Sequence, residues 1–157
     1  MSMQVEAVHI HVDTGNLESV GAGALSCTIF LQIGEIFFPE QGWIDLVSRL
    51  IQPWADQIGD VIEGRIESTE CCFMEGPCSF LLSAAESGNL EMKLIAPWHS
   101  QDTIHTVLPR DIVGGLLSAA EAISRAIASR KLETSDAEGL LDAIHRLRDL
   151  SGMPRLH

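Results

Sequence analysis

The residues able to do chemistry fall into four groups along the chain. His9-Ile10-His11 puts two imidazoles two positions apart, which on a strand places both on one face. Such a pair can hold a metal ion when a third ligand joins it. The sequence places none, and two exposed strand histidines explain the pattern more simply. His99, Asp102 and His105 follow Trp98 in an expected loop, where an imidazole polarised by a carboxylate would be a general-base arrangement. No nucleophile or oxyanion donor can be assigned beside them. Glu63, Glu67, Glu70 and Glu75 gather carboxylates near one expected hairpin, yet calcium loops need tighter spacing with Asp, Asn and Gly. A solvated acidic face is the simpler reading, and Glu63, Glu67 and Glu75 are its candidate partner-binding residues. Cys27, Cys71, Cys72 and Cys78 include no C-x-x-C pair. They read as reduced, buried thiols, with Cys72 and Cys78 able to approach across a hairpin.

Motifs with a fixed mechanical role are missing. The chain has no G-x-x-x-x-G-K-[ST], no H-E-x-x-H and no G-x-S-x-G. Gly21-Ala22-Gly23 is followed by Ser26 where a dinucleotide fingerprint needs its third glycine. The expectation is a non-enzymatic chain with no catalytic residues, no metal site and no cofactor.

The elements that must position these residues follow from periodicity. Val8, Ile10 and Val12 alternate with His9 and His11 in a half-exposed strand from Val5 to Val12. A turn at Asp13-Thr14-Gly15-Asn16 and a flexible connection over 19–23 follow it. Leu25, Cys27, Ile29, Leu31 and Ile33 give a strand with one buried face, and Ile36-Phe37-Phe38 a short second strand stopped by Pro39. Trp43, Leu46, Val47, Leu50, Ile51, Trp54 and Ile58 keep three-and-four spacing, which predicts a helix over about 42–58. Asp45 and Arg49 would lie on its exposed side, with a kink or break caused by Pro53. Gly59-Asp60 would end it, and Val61 to Met74, Cys78 to Ala84 and Leu90 to Leu94 would form an antiparallel meander, with 103–108 as a short edge strand. Ile112, Leu116, Ala120, Ile123 and Ile127 stripe a helix over about 110–131, and Ser135 with Glu138 has capping-box spacing for a last helix over about 136–150. The fold class is therefore α+β: an antiparallel meander sheet packed by a kinked helix and a C-terminal antiparallel helix pair, in a single domain over 1–157.

Composition sets the class of partner. The 157 residues are 46% hydrophobic and 20% charged, suited to a globular chain that needs no disulfide or metal to hold its core. No run of about 18 apolar residues and no basic-then-apolar N-terminal segment is visible, which makes a cytoplasmic protein the default expectation. Net charge is −12. Residues 1–92 hold fourteen acidic groups against Arg49 and Arg65, whereas residues 93–157 balance eight against eight. Repulsion from phosphates argues against nucleic acid and anionic membranes as partners of the first part, and an acidic face attracts basic proteins.

Two short motifs carry a family resemblance. Phe38-Pro39-Glu40-Gln41-Gly42-Trp43-Ile44-Asp45, followed by an apolar helix, resembles the F-P-x-x-x-W-x-D pattern of small bacterial immunity-like proteins of polymorphic-toxin systems. Phe73-Met74-Glu75-Gly76-Pro77-Cys78 is similar to their F-M-D-G-P-Y turn, with Glu for Asp and Cys for Tyr. The resemblance spans roughly residues 25–150 and implies a protein that binds and neutralises a toxin. An acidic inhibitor of this kind would mimic phosphate toward a basic nuclease-like partner, with Glu63, Glu67 and Glu75 as the docking face. The alternatives are a structural or assembly role as a homo-oligomer, and a small hydrolase using the His99/Asp102/His105 loop.

Overall fold

Residues 4–98 and 103–152 are described by the computed structural model, and their patterning resolves into two sheets around three helices. One sheet has five strands in the order β1 (Val5–Glu6), β9 (Ile104–Val107), β8 (Leu90–Ile95), β7 (Ser79–Ala84) and β6 (Ser68–Cys72). The other contains β2 (Val8–Gly21), β3 (Ala24–Ile33) and β4 (Ile36–Phe38), with β5 (Ile44–Asp45) also paired to β3. Helix α1 (Val47–Ile62) packs on β3 of one sheet and on β6 and β7 of the other, while α2 (Pro109–Arg130) lies on β2. Helix α3 (Ala137–Gly152) packs against both other helices. The chain is α+β, and the expected meander is the antiparallel run β6 to β9.

The N-terminal strand departs from expectation by serving both sheets. Val5 and Glu6 pair in parallel with Thr106 and Val107, after which the chain crosses to pair Val8 with Ile33. The turn expected at Asp13–Asn16 is an irregularity inside β2, where the register slips between Asp13 and Glu18. Asn16 spans the slip by bonding both the side chain and the main chain of Thr28, at 2.8 and 3.1 Å. The expected flexible connection is a tight hairpin, made possible by positive φ at Gly21, Ala22 and Gly23. β3 follows its sequence pattern, with Leu25, Cys27, Ile29, Leu31 and Ile33 all sealed in the core.

Helix α1 starts later and ends later than its apolar stripe suggests. Trp43 C=O accepts from Ile29 N–H at 2.8 Å, a strand bond that holds residues 43–45 against β3 and out of the helix. Asp45 is fully buried rather than on an exposed helix face. The helix runs through Pro53, which sits on the exposed side where the carbonyl left without its partner can face water. Gly59 is internal to α1: a Cβ there would fall 2.6 Å from Arg146 Nε, so the glycine makes room for a guanidinium from α3. The stop comes at Gly64, whose N–H bonds Val61 C=O while Arg65 N–H reaches back to Asp60 C=O. Residues 61–62 are therefore helical, and the strand expected from Val61 to Met74 shortens to Ser68–Cys72.

The last two helices match their stripes. The capping box expected of Ser135 and Glu138 is replaced by other contacts. Thr134 Oγ1 accepts from Asp136 N–H at 3.0 Å, and Asp136 Oδ2 accepts from Ser48 Oγ at 2.7 Å and Arg49 Nε at 3.2 Å, pinning α3 to α1. Helix α2 is long and apolar enough to cross a bilayer by length and composition. Here Ile112, Val113, Leu116, Ala119, Ala120 and Ile123 are buried within the fold.

Candidate partner-binding surface

The two motifs that carry the resemblance meet at Asp45. Trp43 and Asp45 lie two residues apart and so on one face, which lets Trp43 Nε1 donate to Asp45 Oδ2 at 2.9 Å. Leu46 N–H donates to Oδ1 at 2.7 Å, just ahead of α1. From the second motif, Met74 N–H lies 3.1 and 3.0 Å from the two carboxylate oxygens and Glu75 N–H lies 3.3 Å from Oδ2. A sealed carboxylate is tolerated because four donors converge on it. Phe73 sits beneath, edge-on to Phe38, Trp43 and Trp54 at ring separations of 5.9, 6.3 and 4.9 Å. Gly76 completes the fit, since a Cβ there would come within 3.0 Å of Trp43 Cη2.

This buried node holds an exposed corner in place. Trp98, 52% exposed, donates from Nε1 to Pro39 C=O at 3.3 Å and lies 6.2 Å from the Trp43 ring. Met74 is 43% exposed on the adjoining turn. Glu40 and Glu75 are exposed on the two turns that Asp45 joins, and Glu40 C=O accepts from Trp43 N–H at 3.2 Å. Buried Cys78 registers both acids of the first motif: burial first, then the charges of Asp45 and Glu40, raise its pKa. The corner thus combines an indole and a thioether with a carboxylate rim, a chemistry suited to a partner with basic and apolar groups.

The acidic residues singled out from sequence are spread along the chain's elements rather than gathered at this corner. Glu75 belongs to this corner. Glu67 precedes β6 and Glu75 follows it, so the strand separates them by roughly 20 Å at its rise per residue. Glu63, at the end of α1, is held by Arg146 Nη2 at 2.9 Å and lies 3.6 Å from Arg65. Trp98, Met74 and Glu40 were not singled out for binding. Their signal was weak: a Pro-Trp loop, one motif letter with no stated role, and one variable motif position.

His99 and Asp102 of the expected loop site lie outside the described residues. His105 is buried in β9, not in a loop. Its Nδ1 lies 2.6 Å from Glu6 Oε1 and its Nε2 lies 3.1 Å from Thr103 Oγ1. This hydroxyl–imidazole–carboxylate chain has the connectivity of a nucleophile, base and orienting acid. His9 and His11 share a face as expected, with ring centres 6.2 Å apart, and His11 Nε2 lies 2.7 Å from Gln32 Oε1. Among the described residues no group of three or more His, Cys, Asp or Glu side chains is arranged to hold a metal.

All four cysteines are free; Cys27, Cys71 and Cys78 are buried and Cys72 is exposed. The register pairs Cys72 with Ser79, while Phe73 N–H bonds Cys78 C=O. Cys72 and Cys78 therefore project from opposite faces of the hairpin, which corrects the expected approach between them. Burial, ahead of neighbouring charge, pushes the Cys27 thiol up to about 12 and raises Cys71 further, which keeps both thiols protonated and inert.

Set against protein-family models, curated proteins and solved structures, the chain finds no match in any of the three.

Proposed function

We propose that this chain is a non-enzymatic binding protein that docks its acidic corner on a basic protein, as an immunity-type inhibitor would hold a basic toxin. The observation that carries the reading is the placement of exposed Trp98 and Met74 beside Glu40 and Glu75. They belong to a chain whose net charge of −12 is held by residues 1–92. Tryptophan is a frequent interface anchor, and carboxylates around it steer a basic partner and stand where phosphates would on a nucleic acid. The test is affinity capture from the cells that make the protein, followed by calorimetry of the purified pair. A basic partner should bind with salt-sensitive affinity, and Trp98→Ala should weaken it by about 2 kcal/mol. Unchanged affinity in a folded Trp98→Ala/Glu40→Lys/Glu75→Lys variant would falsify the assignment of this surface.

A second reading, a small hydrolase, is favoured by the Thr103–His105–Glu6 hydrogen-bond chain. It predicts p-nitrophenyl ester hydrolysis that Thr103→Val abolishes; turnover equal in the variant and the parent would sink it.

A further inference from the structure

Strand β2 is a sheet edge: it pairs with β3 on one side and with no strand on the other among the described residues. Two hydrogen bonds fix which of its main-chain groups face outward. Gly34 N–H donates to Ala7 C=O at 3.2 Å, so Ala7, His9, His11 and Asp13 turn toward β3. Val8 N–H points the other way, to Asp111 Oδ2 at 3.5 Å. With a period of two, the N–H and C=O groups of Ile10 and Val12 also face outward. Farther along, Arg130 covers the edge by donating to Thr14 C=O at 3.0 Å and Leu17 C=O at 2.7 Å. Both ends of the edge are therefore capped by α2, and the stretch from Ile10 to Val12 is left between the caps. The edge of β6 is treated differently, with Gln57 and Trp54 of α1 donating to Glu70 C=O and Cys72 C=O at 2.8 and 2.9 Å.

An open cavity of about 560 Å³ runs beside this stretch, between His9, Ile10 and His11 of β2 and Arg110, Gly114 and Gly115 of α2. Glycine weakens a helix interior relative to alanine, so two in succession need a reason. Gly115 has one inside the chain: a Cβ there would come within 3.3 Å of Ile10 Cγ1. Gly114 has none, because its Cβ would meet nothing within 4 Å. The helix keeps open a space that nothing in the described chain fills. Arg110 at this cavity and Arg125 at the next one along α2 are exposed, and neither enters an ion pair among the described residues. The Asp111 carboxylate within the same cavity is turned to Val8 N–H.

We propose that this edge binds an extended, acidic peptide segment of a partner protein. The segment adds as a strand beside β2, with its main chain bonded to Ile10 and Val12. Its side chains occupy the space over Gly114, and its carboxylates face Arg110 and Arg125. This interface is separate from the Trp98 corner and does not depend on it.

Fluorescent peptides of roughly ten residues, alternating Glu with Val or Lys with Val, span the open edge and serve as probes of the full-length protein. The Glu–Val peptide is expected to bind saturably by anisotropy and to slow amide exchange at Ile10 and Val12. Gly114→Leu fills the cavity at a position with room for a side chain. That variant should melt no earlier than the parent and bind the Glu–Val peptide at least about tenfold more weakly. Three results overturn the proposal: no Glu–Val binding at about millimolar peptide, binding that Gly114→Leu leaves unchanged, or equal binding of the Lys–Val peptide. Sedimentation showing a dimer that Gly114→Leu dissociates overturns it as well, by giving the edge to a second copy of the chain.

Discussion

Asp45 concentrates more of this structure's requirements than any other single side chain described above. Asp45→Ala would leave Trp43 Nε1 and the N–H groups of Leu46, Met74 and Glu75 without their acceptor. Each buried donor left unmet costs roughly 1–3 kcal/mol, although Met74 and Glu75 can recover water at their exposed turn, so a loss of about 3–5 kcal/mol in urea unfolding is expected. Asp45→Asn should lose less, because its carbonyl oxygen still accepts while its amide group opposes the remaining donors. Two equally stable variants would mean that the node does not hold the turns. The thiols give a pH signature at the same scale. Unfolded Cys27 ionises near the ordinary thiol value, about 8.5, whereas folded Cys27 keeps its proton until about 12. Stability is therefore complete below the unfolded value and falls as pH rises toward the folded one. The chain has no tyrosine and only Lys93 and Lys131 as lysines, so the other groups titrating in that window are chiefly the remaining thiols, and buried Cys71 adds a drop of the same sign. The urea midpoint should drop between about pH 8 and 10.5, and drop less in Cys27→Val.

At the scale of elements, long periodic segments were legible and short ones were not. The buried face of β3 and the stripes of α2 and α3 each repeat over several turns or residue pairs, so tertiary contacts had little to override. β5 has two residues and therefore no period to read, and its neighbour Trp43 fits the apolar stripe of α1 by coincidence. Only the distant bond from Ile29 N–H decides that Trp43 is extended. Gly59 likewise reads as a stop until Arg146, supplied from α3, gives it a helical role. Pro53 offers a direct check on α1. It lies on the exposed face of a continuous helix, so Pro53→Ala restores a main-chain donor and removes a ring clash without opening the core. A prolyl interior position costs about 3 kcal/mol, partly offset by about 1 kcal/mol from the stiffer unfolded chain, so Pro53→Ala should stabilise by roughly 1–2 kcal/mol in thermal melts. A destabilised variant would show that α1 is bent around the proline and packed to suit the bend.

Across the whole molecule, charge was readable from sequence but its sharing among surfaces was not. Fourteen acidic groups in residues 1–92 announce an acidic protein, yet β6 parts Glu67 from Glu75 and Arg146 claims Glu63. The same imbalance sets the response to salt. At about 10 mM salt the Debye length is roughly 30 Å, long enough for carboxylates across the molecule to repel one another; at about 300 mM it falls below 10 Å. Local pairs such as Arg148–Glu121 at 2.7 Å and Arg49–Asp136 at 3.2 Å are screened too, but exposed pairs contribute little each. Net repulsion should dominate, so the melting temperature in sodium chloride should rise over that range. A complex of the proposed kind, with a basic partner, should weaken over the same range, because screening removes attraction there. Opposite signs for stability and binding in one titration would tie both to the acidic half. A melting temperature that falls with salt would instead place the electrostatic balance in the ion pairs that tie α3 to α1 and α2.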